Sequence, residues 1–314
     1  MDSPRPLVPR VVIAGGSGFI GRRLVEEFSN AKYEVIVLSR SGEELAGAKV
    51  VKWDGLTVGE WAGFLSGAQA VINLSGESVS TKWTPESKAR IKDSRVRSTE
   101  TIGKAIRTCP IPPATWINAS AIGFYGDRGD EEVNENSSAG TGFLAETCLA
   151  WEAAQDNAET PGVRKTKIRV GVVLGKGGGA MEEMLKYAKR FLGGAQGSGN
   201  QWVSWIHVED LAGIFRWAVE NAVPGVVNGV APSPARNKFL MQEVRRAVNR
   251  PWSPPVPGAI LKLVGSLMGV EAGLLLVSEK VRSTVLSDFV FKFPTLHAAI
   301  QDIVQDSEPA NPSP

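Results

Sequence analysis

Residues 11–21 read V-V-I-A-G-G-S-G-F-I-G and run into R-R-L-V-E-E-F at 22–28. An apolar run, a glycine cluster and a segment of helical period predict, in that order, a strand, a tight turn and a helix start. The glycines satisfy G-x-x-G-x-x-G through Gly15, Gly18 and Gly21, and also G-x-G-x-x-G through Gly16, Gly18 and Gly21. Either spacing predicts a dinucleotide pyrophosphate at a helix N-terminus. One glycine must turn where other residues cannot, one must let phosphates reach the main chain, and one must let helix pack on strand. Gly15, Ser17, Gly18, Phe19, Ile20 and Gly21 are therefore the expected contacts of that turn.

Working outward, the strand pattern repeats. Residues 33–38 (YEVIVL), 49–53, 70–74 (AVINL), 115–120 (TWINAS) and 167–174 read as strands, and 84–107, 143–157, 180–191 and 211–220 as helices. Strands that alternate with helices imply parallel pairing and right-handed crossovers. The fold class is α/β with a doubly wound parallel sheet; a family resemblance carried by motifs further along the chain implies that it is Rossmann-type and completed by a smaller C-terminal substrate domain. The Rossmann domain is expected over 9–176, with returning segments near 202–230. Residues 177–201 and 231–304 are expected to form the substrate side, where prolines cluster from Pro232 to Pro257 and an apolar helix follows at 260–268. The polar, proline-bearing tail, 305–314, reads as disordered.

Composition narrows the function classes. The 314 residues are 43% hydrophobic and 22% charged, enough for one large or two modest globular domains. A net charge of +2 with interspersed signs offers no basic tract for nucleic acid or an anionic membrane surface. Two cysteines, Cys109 and Cys148, and two histidines, His207 and His297, give no zinc-ligand spacing and no disulfide framework, so no metal is expected. No apolar run reaches the length of a membrane span. The first ten residues hold three prolines and do not resemble a secretory signal. A cytoplasmic location is favoured, with an organellar one left open, and the expected partner is a small molecule that these motifs do not name.

The residue after the second strand discriminates between cofactors. An acid there binds the adenosine ribose of NAD, whereas a base suits the 2′-phosphate of NADP. Ser39 and Arg40 stand at that point. A guanidinium fork and a hydroxyl suit phosphate oxygens, so NADP is the expected cofactor; a solvated arginine at a strand end is the plain alternative. Asp54 reads either as an adenine neighbour or as a turn former. The fourth strand ends in Leu74-Ser75-Gly76-Glu77, which would border a ligand lying beyond the strand ends. Glu77 reads equally as a ligand contact or as a helix N-terminal charge.

The motifs downstream resemble a known family. G-G-S-G-F-I-G at 15–21, N-A-S-A-I-G-F-Y-G at 118–126, R-V-G-V-V-L-G at 169–175 and W-I-H-V-E-D-L-A at 205–212 look like the extended short-chain dehydrogenase/reductase superfamily. G-V-V-L-G-K-G-G-G-A-M at 171–181, N-G-V-A-P-S at 228–233 and F-K-F-P-T-L at 291–296 are similar to its atypical epimerase-like branch, often called epimerase family protein. The resemblance runs from about Val11 to Ile303. It implies a Rossmann domain that holds NADP, with contacts at Ser39, Arg40, Leu74, Ser75 and Arg95. Arg95 also reads as a solvated helix arginine.

The sequence departs from the superfamily where a proton should move. There, a serine and a Y-x-x-x-K pair carry it, with the lysine lowering the tyrosine pKa. The corresponding helix here reads F-L-A-E-T-C-L-A-W-E from Phe143, with neither residue. Ser120 is the candidate serine, although anchoring on Tyr125-Gly126 puts Ala121 there. Tyr125 reads as a packing residue or as a proton donor, and His207 as a structural residue beside Asp210. Trp202 and Trp205 either floor a pocket or fill the crevice between domains. The expected function is thus an NADP(H)-binding oxidoreductase or epimerase-like protein acting on a small polar or sugar-nucleotide-like substrate, with Ser120 and Tyr125 polarising an oxygen. The rival is a catalytically weakened NADP(H)-binding sensor or interaction protein.

Overall fold

A computed structural model describes residues 8–268 and 271–305. Most of the amino-terminal segment discussed above, and the tail beyond Gln305, lie outside those residues. In chain order the elements are β1 (Arg10–Ala14), α1 (Phe19–Asn30), β2 (Glu34–Ser39), β3 (Lys49–Lys52), β4 (Ala70–Asn73), α2 (Pro85–Arg107) and β5 (Thr115–Ala121). There follow β6 (Glu132–Val133), α3 (Phe143–Asp156), β7 (Arg164–Val170), β8 (Val172–Leu174), α4 (Gly179–Lys189), β9 (Trp202–Val203), β10 (Trp205–His207) and α5 (Val208–Glu220). The chain continues through β11 (Gly225–Gly229), β12 (Ala235–Arg236), α6 (Asn237–Ala247), α7 (Gly258–Met268), β13 (Lys280–Val281) and α8 (Leu296–Gln305).

Seven strands make one parallel sheet in the order β11-β7-β5-β4-β1-β2-β3. The order reverses between β1 and β4, which is where such a sheet opens a ligand crevice beyond its carboxyl ends. Alternation along β1 explains how both faces are covered. Val11 and Ile13 pack with Leu24 and Phe28 of α1 and with Leu211 and Phe215 of α5. Val12 and Ala14 face the other way, toward Trp61, Ile102, Ile106 and Trp116. A third cluster joins α4, α6 and α8 through Met181, Met184, Leu240, Val244 and Ile300.

One expected strand is two. The chain leaves the large sheet at Gly171, so that β8 pairs with β10 instead. The cause is a close backbone approach: a Cβ on Gly171 would sit 2.6 Å from the Ser204 carbonyl oxygen. Ser204 in turn divides β9 from β10, its hydroxyl donating to the Glu279 carbonyl at 2.8 Å while accepting from Val281 N at 2.8 Å.

The strands and α3 are locked by a buried polar hub. Arg169 of β7 donates through Nε and Nη2 to the Glu152 carboxylate of α3, both at 2.9 Å, with side chains only 5% and 9% exposed. Its Nη1 donates to the Tyr125 hydroxyl at 2.9 Å, and the guanidinium carbon lies 3.3 Å from the Phe124 ring centroid. Tyr125 donates onward to Asn228 Oδ1 at 2.8 Å, and Ser120 donates to Glu152 Oε1 at 2.6 Å. Burial disfavours the Arg169 charge, but the hydrogen bonds and charge of Glu152 outweigh it and hold the pKa up. Removing one partner strands a buried charge.

His207 serves as the N-cap of α5. Its Nδ1 accepts from Glu209 N at 3.3 Å, which requires that nitrogen to be unprotonated. Asp302 lies 3.5 Å from the other nitrogen. Burial pushes the His207 pKa down to about 4.

Glu152→Ala should cost about 3–5 kcal/mol in denaturant unfolding; a loss below about 1 kcal/mol would show that the pair does not lock the sheet to α3. For His207, the unfolded chain binds the proton more tightly, so its contribution is intact above about pH 6.5 and is lost as pH falls toward 4, by about 3 kcal/mol in all. His207→Asn keeps a capping acceptor and cannot titrate in that range. Its stability should be flatter than that of the parent between pH 6.5 and 4, and parallel curves would refute the buried neutral imidazole.

Candidate functional site

The turn after β1 is built as the glycine pattern requires. Gly15 has φ +78, and a Cβ there would press on the Leu74 carbonyl carbon at 3.1 Å and on Ser75 N at 3.2 Å. A Cβ on Gly21 would meet the Gly15 carbonyl oxygen at 2.5 Å, so α1 packs on the turn with no room for a side chain. Gly18 is different. It is exposed, adopts φ −75, and a Cβ would meet only the Gly15 oxygen, at 3.5 Å. Gly18 is also the N-cap of α1, with no side-chain cap. The first-turn amides of Phe19, Ile20 and Gly21 thus have the orphan donors and the positive dipole end that favour an anion. The Phe19 ring is turned away, toward Gly175, Gly178 and Gly179, so what Phe19 offers an anion is main chain.

At the end of β2, hydroxyls gather. Ser17 and Ser39 Oγ are 3.1 Å apart, and Ser39 and Ser41 Oγ 3.2 Å. Arg40 beside them is exposed and forms no hydrogen bond or ion pair with the described residues. Arg22, which the sequence reading did not single out, donates to the Ser17 carbonyl at 2.9 Å and so borders the same turn. Asp54 is the turn former. It accepts from Leu56 N and Thr57 N, each at 2.8 Å, and from the Thr57 hydroxyl at 2.7 Å, and these bonds hold its pKa down to about 2.

At the end of β4, buried amides shape the main chain. Asn73 Nδ2 donates to Asn118 Oδ1 at 2.8 Å and to the Thr99 hydroxyl at 3.1 Å, while Asn73 Oδ1 accepts from Ser75 N at 3.0 Å. Leu74 N donates to the Ala14 carbonyl at 2.9 Å, which brings this end against the glycine turn. Glu77 N donates to Ser94 Oγ at 3.0 Å, and the Glu77 carboxylate pairs with Arg90 at 3.4 Å. Arg95 is not a solvated helix arginine. It lies on Gly76, whose Cβ would be 2.9 Å from its guanidinium carbon, and 5.2 Å from the Trp151 ring centroid. Its Nη1 donates to the Glu77 and Ile91 carbonyls at 2.9 and 2.8 Å, and burial lowers its pKa.

α3 carries neither a tyrosine nor a lysine. Two α3 residues face the end of β5. Leu144 lies against Gly123, where a Cβ would be 3.2 Å away, and Cys148 Sγ is 3.7 Å from the Ala121 carbonyl. Their i, i+4 spacing is that of Y-x-x-x-K. Burial pushes the Cys148 thiol up to about 11, so it stays protonated at neutral pH. Ser120 and Tyr125, expected to polarise a substrate oxygen, are 3% and 0% exposed, and both hydroxyls are spent on Glu152, Asn228 and Arg169. Burial raises the Tyr125 pKa above the usual phenol value. Sequence reading missed Glu152, Arg169 and Asn228. The available signal was Glu152 four residues after Cys148 on the helix face that packs on the sheet.

Trp205 is fully buried and donates to the Ser233 carbonyl at 2.9 Å, which makes it core. Trp202 donates to Asp130 at 2.9 Å beneath Arg236, whose guanidinium carbon is 4.1 Å from its ring centroid. Among the described residues, no cluster of three or more His, Cys, Asp or Glu side chains could hold a metal. No helix there is long and apolar enough to cross a membrane.

The chain is similar to several known proteins. The profile of the NAD dependent epimerase/dehydratase family matches residues 11–230. Epimerase family protein SDR39U1 homolog, chloroplastic, of Arabidopsis thaliana is 38% identical over 306 residues, 94% of this chain and 86% of that protein. Epimerase family protein SDR39U1 of Homo sapiens is 36% identical over 304 residues, 94% of this chain and 99% of its own. The crystal structure of human SDR39U1 with NADPH superposes with a TM-score of 0.84 at 35% identity, covering 95% of this chain and 99% of that one. UDP-N-acetylglucosamine 4-epimerase from Bacillus cereus, at 16% identity and a TM-score of 0.74 over 98% and 99% of the chains, shares the fold. A glycine turn at a sheet's switch point, a profile match over most of the chain and relatives above one-third identity along nearly all of it make this protein a member of the NAD dependent epimerase/dehydratase family.

Proposed function

We propose that this chain binds NADP(H) and acts as an oxidoreductase or epimerase-like enzyme on a small polar substrate. The carrying observation is the uncapped, glycine-lined N-terminus of α1 beside the Ser17, Ser39 and Arg40 group. The NADPH in the human relative's crystal structure supports the same reading. The first-turn amides of α1 would take the pyrophosphate, and Ser39 and Arg40 the adenosine 2′-phosphate. Leu74, Ser75, Gly76 and Arg95 would border the nicotinamide half, with Glu77 holding Arg90 at the rim. Bound there, the dinucleotide supplies hydride chemistry.

The chain's own residues then position and shield. Ser120 and Tyr125 act as positioning residues, because their hydroxyls hold α3, β5 and β11 together through Glu152 and Asn228. The domain division at about residue 176 remains part of this proposal, with the substrate held between the two parts. A second reading, a cofactor sensor without turnover, is supported by one observation: α3, from Phe143 to Asp156, carries neither a tyrosine nor a lysine.

The cofactor assignment is tested by two substitutions. Arg40→Ala should weaken NADPH roughly tenfold while leaving NADH unchanged, and an unaltered preference would remove Arg40 from the 2′-phosphate. Gly18→Ala should leave thermal stability within about 0.5 kcal/mol, since the added methyl meets nothing close, and yet weaken both dinucleotides at least about tenfold. Undiminished binding by that variant would move the pyrophosphate elsewhere. Turnover is decided by NADPH oxidation across a panel of carbonyl compounds and sugar nucleotides. Activity that survives Tyr125→Phe supports an enzyme in which Tyr125 is positional; tight binding without any oxidation supports the sensor.

A further inference from the structure

Three side chains that the cofactor assignment does not use meet on the ligand side of the sheet. Trp83 stands just before α2, Lys88 one turn into it, and Phe143 opens α3. These helices follow β4 and β5 respectively, so their first turns overlook the strand ends where an open α/β sheet takes its ligand. The Trp83 and Phe143 rings meet edge-on with centroids 4.9 Å apart, and the indole N–H is tied to the Val79 carbonyl at 3.1 Å. Lys88 Nζ lies 5.3 Å from the Phe143 centroid and 5.7 Å from the Trp83 centroid.

Arg90 pairs with Glu77 and Arg97 with Asp93. Lys88, like Lys82 and Lys92 nearby, has no ion pair among the described residues; what sets it apart is that its ammonium lies over two rings. The Lys88 side chain is half-buried, and the rings attract a cation without neutralising it. Its stem is therefore ordered before any partner arrives, so pairing with an anion costs little further side-chain entropy. The dipole of α2 adds positive potential at the same end.

We propose that Trp83, Phe143 and Lys88 form the recognition site for the substrate, which carries an apolar or planar body against the two rings and an anionic group, carboxylate or phosphate, on the Lys88 ammonium. Lys88 selects charge; it moves no proton. The proposal rests on the cofactor reading, since it places the substrate beside the nicotinamide half.

The test uses the full chain saturated with NADP+ and three probes: benzoate, phenyl phosphate and neutral benzamide, followed by calorimetry and tryptophan fluorescence. At least one anion should bind tenfold or more tightly than benzamide, and whichever binds more tightly identifies the group as carboxylate or phosphate. Lys88→Gln should abolish that preference and leave benzamide and NADP+ affinities within twofold, while Lys88→Arg retains it. Trp83→Leu should weaken all three probes. Benzamide binding as tightly as both anions, no binding of any probe, or a preference that survives Lys88→Gln would overturn the proposal. Failure of the parent chain to bind NADP+ would instead overturn the cofactor reading, and the same probes titrated into the cofactor-free protein would then decide the role of Lys88 separately.

Discussion

The bidentate pair between Arg169 and Glu152 is the contact on which the rest of this structure depends. Both side chains are nearly inaccessible, and desolvating two charges is repaid only when the geometry is close and the remaining donors and acceptors are filled. Here they are filled by Ser120, Tyr125 and, through Tyr125, Asn228. Asn228 carries the connection beyond the sheet: its N donates to Glu135 at 2.9 Å and its Nδ2 to the Arg282 carbonyl at 2.8 Å. Six stretches of chain, at 120–125, 135, 152, 169, 228 and 282, are linked through one charge pair and its hydrogen bonds.

That constraint has a chemical consequence. A hydroxyl proton already donated within the hub cannot be given to a substrate without leaving Glu152 or Asn228 under-satisfied. Proton transfer by Ser120 or Tyr125 would cost the fold. The proposed dinucleotide contacts carry no such conflict, because they are main-chain amides of α1 and the Ser39 and Arg40 side chains at the end of β2, none of them part of the hub. Binding and chemistry are therefore separable here, and the substrate side rests on other groups, Lys88, Trp83 and Phe143 among them.

The parts of the molecule that were legible in the sequence are those governed by local rules. Gly15, Gly18 and Gly21 specify a strand, turn and helix within eleven residues; in the structure Gly15 and Gly21 are sterically required, while Gly18 leaves open space at the start of α1. The alternation of strands and helices was equally readable, since each depends on its own period. The break at Gly171 was not, because its cause is the Ser204 carbonyl, far along the chain. The pairing of Arg169 with Glu152 was hidden for the same reason: an arginine in a strand and a glutamate on a helix each look solvated until the packing brings them together. Arg95 shows the limit from the other side, since only its seat on Gly76 and Trp151 separates it from an ordinary helix arginine.

The most direct measurement is a crystal structure of the protein grown with NADPH. It should place the 2′-phosphate within hydrogen-bond distance of Ser39 and Arg40 and the pyrophosphate on the first turn of α1, with Ser120 still donating to Glu152 and Tyr125 to Asn228. A cofactor lying elsewhere, or a Tyr125 or Ser120 hydroxyl swung out of the hub onto the nicotinamide, would contradict the account.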